Sequence, residues 1–75
     1  MTLAFVMVNT VPDQIESVLA RIREIEDVEE AYMLYGVYDI VAKVKVETDE
    51  EFKGIFWRIR AVKHIRSIVK LMTVS

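Results

Sequence analysis

The sequence predicts an α+β fold, an antiparallel sheet of four strands with two helices packed on one of its faces. Three observations lead there. Four short segments are apolar either continuously or at every second residue, as strands are. Two segments between them carry apolar stripes at helical spacing. The order strand-helix-strand occurs twice in succession, joined by short connections. With 75 residues there is room for one such unit, so residues 1–75 read as a single domain.

The first strand is "LAFVMV", short and apolar on both faces. Leu3, Phe5 and Met7 point to one side of the sheet, and Ala4, Val6 and Val8 to the other. "NTVPDQIESVLARIREIED" follows, with Val11, Ile15, Val18, Leu19, Ile22 and Ile25 on one helical stripe. Asn9 or Thr10 is its expected N-cap, and Pro12 is tolerated in the first turn. Residues 28–35 form the second strand and residues 39–47 the third, where Ile40, Ala42, Val44 and Val46 alternate with Lys43, Lys45 and Glu47.

"TDEE" at Thr48 to Glu51 is a capping box that opens a second helix, whose stripe is Phe52, Ile55, Phe56, Ile59 and Val62. Residues 67–74 are the last strand, with Ile68, Met72 and Val74 opposite Val69 and Leu71. The result is a ferredoxin-like βαββαβ sandwich. Its helices cover one sheet face, and the apolar residues left on the other face call for a cover, most simply a second copy of the chain. Lys43 and Lys45 would reach the rim of that interface.

Composition narrows the function. No cysteine is present, so disulfides contribute nothing, and a domain this small gains from oligomerisation. No apolar run approaches the ~20 residues of a membrane span, and the N-terminus lacks the pattern of a signal peptide. A cytoplasmic location is the expectation. Asn9 and Gln14 are the only amides, a hint of thermophily.

The net charge of −2 argues against general nucleic-acid binding. The charge is nevertheless segregated. All 12 acids lie at or before Glu51, and Lys53, Arg58, Arg60, Lys63, Arg66 and Lys70 follow without an acid among them. Acids at the start and bases at the end of the second helix suit its dipole, which accounts for part of this pattern.

Catalytic chemistry has little to stand on. His64 is the only histidine, the acids of "EIEDVEE" lack calcium-loop spacing, and Gly36 and Gly54 are the only glycines, too few for a phosphate loop. No cofactor or metal is expected. RNA recognition on this topology stacks bases on aromatics of the central strands, and "DIVAKVKVE" offers none. Trp57 reads as a core or subunit-contact residue.

The remaining feature is "YGVYDIV", residues 35–41. As structure alone it is a tight hairpin, with Gly36 supplying positive φ and Asp39 accepting turn hydrogen bonds. As a site it could hold a zwitterion, with Asp39 meeting an ammonium and amides near Gly36 meeting a carboxylate.

This hairpin, "YGVYDIVAKV", resembles the G-x-Y-D signature of the RAM domain, the effector-binding half of Lrp/AsnC transcription regulators. The likeness covers the whole chain and extends to the closing "IRSIVKLMTV". It implies a non-enzymatic domain that dimerises through its sheets into a dimeric α+β barrel. It further implies assembly into rings of eight or ten chains and an amino-acid effector at contacts between dimers. The binding residues it implies are Tyr35, Gly36, Val37, Tyr38 and Asp39, joined by Ile68 and Lys70 of the last strand, where family members often carry hydroxyls. A full-length Lrp/AsnC regulator is an implied partner. The chain looks like a stand-alone member without the helix-turn-helix domain that the family usually carries, so direct nucleic-acid binding is not expected, and no membrane binding is expected either. An enzyme of the related dimeric barrel class and a ligand-free assembly partner are the competing readings.

Overall fold

The computed structural model describes residues 2–73. Its elements are β1 (Thr2–Thr10), a 3-10 turn (Pro12–Gln14), α1 (Ile15–Arg23), β2 (Val28–Met33), β3 (Ile40–Val46), α2 (Asp49–Arg60) and β4 (Ile65–Met72). The strands form one antiparallel sheet in the order β2-β3-β1-β4. The predicted order of elements and the ferredoxin-like fold are both present.

Alternation along the strands sorts the side chains into two layers. Ala4, Val6 and Val8 of β1 and Ile40, Ala42, Val44 and Val46 of β3 are buried beneath the helices. Val18, Leu19 and Ile22 of α1 and Phe52, Ile55 and Ile59 of α2 close over them. Ile22, Ile40 and Ile59 are fully enclosed, and each such burial contributes about 1.5–3 kcal/mol. The cross-strand register puts Leu3, Phe5 and Met7 beside Val41, Val69 and Leu71 on the opposite, open face. There Lys43 pairs with Glu30 at 3.2 Å and Lys45 with Glu29 at 3.6 Å, so one half of the face is apolar and the other ionic.

The structure moves several boundaries. Neither Asn9 nor Thr10 caps α1: both belong to β1, and the 3-10 turn containing Pro12 leads into the helix without any side-chain cap. Strand pairing takes precedence, because Thr10 faces Ile65 of β4 and Asn9 donates its side-chain amide to the Ser67 hydroxyl at 3.2 Å. Of the two bonds of the expected capping box, the Thr48 hydroxyl accepting the Glu51 N–H at 3.1 Å is the one formed. Strand β4 begins earlier than expected, at Ile65, and Val74 lies outside the described residues. Trp57 is not a core residue: its surface is 61% exposed.

The β2 edge of the sheet is blunted. The Arg23 guanidinium donates from both Nε and Nη2 to the Ala31 carbonyl on β2, at 3.1 and 2.8 Å. A register shift between Val28 and Glu30 further disrupts that edge. Both devices discourage strand addition.

Candidate functional site

The connection between β2 and β3, residues 34–39, is a wider loop than the tight hairpin expected. It is closed by the Leu34 N–H donating to the Asp39 carbonyl at 2.8 Å. Gly36 sits at φ +140°, a conformation that side-chain-bearing residues rarely adopt, and a Cβ there would meet nothing within 4 Å. The loop therefore needs glycine for its backbone and not for space. Tyr35 is fully exposed and Val37 is 83% exposed, while Tyr38 and Asp39 are half-buried.

Asp39 does not cap its own turn. Its Oδ2 accepts the Thr10 backbone N–H at 2.8 Å, and its own N–H donates to the Val8 carbonyl at 3.0 Å. The carboxylate thus binds the loop to the end of β1, where strand pairing with β3 has ended. Among the described residues Oδ1 has no hydrogen bond, and neither have the backbone N–H groups of Tyr35, Gly36, Val37 and Tyr38. These backbone donors and the second carboxylate oxygen are left without protein partners in the exposed loop.

The two β4 positions lie elsewhere. Ile68 pairs with Val8 and packs against the core on the helix side. Lys70 pairs with Val6, also on the helix side, and places its ammonium 5.3 Å from the centre of the Phe56 ring. Within one chain β1 separates both from the hairpin. Phe56 in turn meets Trp57 edge-on, with ring centres 5.7 Å apart.

Beside the hairpin, the open face carries a polar network. The Tyr32 hydroxyl donates to Glu30, whose other oxygen receives Lys43 Nζ at 3.2 Å. The Tyr32 hydrogen bond first, and then Lys43, hold the Glu30 carboxyl below the usual carboxylate range. The same carboxylate pushes the Tyr32 phenol up. Among the described residues, no group of three histidine or carboxylate side chains is placed to hold a metal ion, and no helix is long and apolar enough to cross a membrane.

A concavity of about 530 Å³ lies between α1 and the end of α2. It brings together residues some forty positions apart in the chain, and no spacing in the sequence announces it.

The family model of the Lrp/AsnC ligand binding domain matches residues 3–75. A search of curated proteins finds no match. Among solved structures, a protein from Thermus thermophilus is 25% identical with a TM-score of 0.93, over 100% of this chain and 95% of that one. The leucine response regulatory protein LrpA of Mycobacterium tuberculosis is 27% identical with a TM-score of 0.82, over 99% of this chain and 51% of that one. AsnC of E. coli, 22% identical, shares the fold with a TM-score of 0.90 over 99% of this chain and 51% of its own. The chain thus spans about half the length of the latter two.

Proposed function

The chain belongs to the Lrp/AsnC ligand binding domain family, and from that premise we propose that it is a non-enzymatic regulatory module that binds an amino acid or similar small zwitterion. The family match over residues 3–75 carries this reading. The hairpin supplies the chemistry. The free N–H groups of residues 35–38 face the ligand carboxylate, and Asp39 Oδ1 meets its ammonium. Tyr35 and Tyr38 flank the apolar part of the ligand.

The module works as an oligomer. Two copies cover each other's open sheet faces through Leu3, Phe5, Met7, Val69 and Leu71, and such dimers associate into a ring of eight or ten chains. Contacts between dimers bring Ile68 and Lys70 of one copy toward the hairpin of another, completing a site that a single chain leaves open. In the cytoplasm the module joins or modulates a full-length Lrp/AsnC regulator, and by itself it does not bind duplex DNA.

Calorimetric titration of the purified protein against the twenty amino acids tests this reading. Saturable heat with one amino acid or a small related group is expected. No heat with any of them would overturn effector binding and favour a ligand-free assembly partner.

A further inference from the structure

We propose that the cleft between α1 and the end of α2 is a second binding site, for a small carboxylate with an apolar body, chemically distinct from the hairpin. The cleft is lined by Ser17, Val18, Arg21, Glu24 and Ile25 on one side and by Arg58 and residues 61–64 on the other. Its volume of about 530 Å³ falls within the range of small-molecule pockets, roughly 300–1,000 Å³.

The lining is divided. Buried Val18 and half-buried Ile25 and Val62 form an apolar floor. Around it stand three basic side chains, Arg21, Arg58 and Lys63, against the single carboxylate of Glu24. Arg58 is engaged by Asp27 at 2.7 Å, whereas Arg21 reaches Glu24 only at 3.9 Å. Lys63 has no ion pair among the described residues. A carboxylate at the rim would meet Arg21 and Lys63 while its hydrocarbon covers the floor. The fork of an arginine suits a carboxylate better than a point charge does. An α-ammonium group would face the same cations, so free amino acids are disfavoured here.

His64 provides an independent sign. It lines the cleft at φ +75°, a left-handed conformation uncommon for a residue with a side chain. The strain is held in place by the Val11 N–H, which donates to the His64 carbonyl at 3.0 Å. Strained residues of this kind gather where a binding surface must be shaped. The cleft belongs to the helix layer, so a second copy covering the open sheet face would leave it accessible.

Titration of the isotopically labelled, full-length protein with phenylacetate, followed by amide chemical shifts, tests the proposal, with uncharged phenylacetamide as the control. Saturable shifts centred on Val18, Arg21, Ile25, Val62 and Lys63 are expected, with much weaker effects from the amide. Arg21 and Lys63 are exposed, so R21Q and K63Q should fold normally and each weaken binding about two- to five-fold. The proposal is overturned if phenylacetate gives no saturable shifts at these residues, or if phenylacetamide binds equally well. Shifts confined to residues 35–39 would overturn it too, and would leave the hairpin reading intact.

Discussion

The Asp39 carboxylate accepts the Thr10 backbone N–H at 2.8 Å, binding the base of the β2–β3 loop to the end of β1. Thr10 is buried, so its amide has no ready alternative partner in water. Asp39→Ala leaves that donor unsatisfied, which costs about 1–3 kcal/mol. In a domain of this size the melting temperature should fall by roughly 4–8 °C for each kcal/mol. Asp39→Asn keeps an oxygen for Thr10 and removes the charge. It should melt close to wild type yet bind the proposed amino-acid effector about ten-fold or more weakly, because in the proposed site the ammonium loses its charged partner. Thermal melts and calorimetry on both variants separate the structural from the binding role. An Asn variant with full affinity would place the ammonium elsewhere.

Glu30 and Tyr32 make a pH-sensitive pair. The folded state lowers the Glu30 pKa, chiefly through the Tyr32 hydroxyl and then through Lys43. The resulting stabilisation is present above the unfolded-state pKa of Glu30 and is lost as pH falls through its folded value. Tyr32 has the opposite sign: its pKa is raised, so its contribution is present at neutral pH and is lost as pH rises through the folded value. Tyr32→Phe should therefore bring the Glu30 titration back toward the ordinary carboxylate range, as followed by side-chain carboxyl NMR. An unchanged titration would show that Lys43 alone holds the carboxylate.

Periodicity made the layers legible. Alternation in β3 and the stripes of both helices correctly divide the buried from the exposed side chains, because burial is what produces those periods. Helix caps were less legible. Asn9 and Thr10 resemble the start of a helix, but pairing with β4 and the remote Asp39 carboxylate decide their conformation. The hairpin stood out because a lone glycine between tyrosines is locally unusual. By contrast, the clamp of Arg23 on the Ala31 carbonyl ends on backbone, which has no residue signature. The cleft between the helices depends on how far apart they sit, a tertiary quantity that no local pattern encodes.

The open sheet face offers a direct test of assembly. Phe5 lies in its middle, opposite Leu71 on one side and Lys43 on the other, and does not contribute to the helix-side core. If a second copy covers this face, Phe5→Glu introduces an unpaired buried charge into the interface, where breaking such packing costs several kcal/mol. The variant should elute as a monomer by light scattering coupled to gel filtration and should keep its far-ultraviolet circular dichroism. A wild type that is itself monomeric at micromolar concentration would defeat the assembly reading before any variant is made.

Two residues with positive φ respond to substitution in opposite directions. At Gly36, φ is +140° and a Cβ would meet nothing within 4 Å, so Gly36→Ala isolates the backbone cost from any clash. That cost is about 1–3 kcal/mol for a residue held in so sparsely populated a region, and the hairpin should loosen accordingly. At His64, φ is +75° and the side chain already bears such strain. His64→Gly relieves about 1–2 kcal/mol of it, while the greater freedom of glycine in the unfolded chain offsets about 0.4–1 kcal/mol. A net gain of roughly half a kcal/mol, or a few degrees in melting temperature, is expected. His64→Ala removes the imidazole but keeps the Cβ, so it should bring no such gain. If alanine and glycine at position 64 stabilise equally, the relief comes from losing the imidazole and the backbone there is not strained.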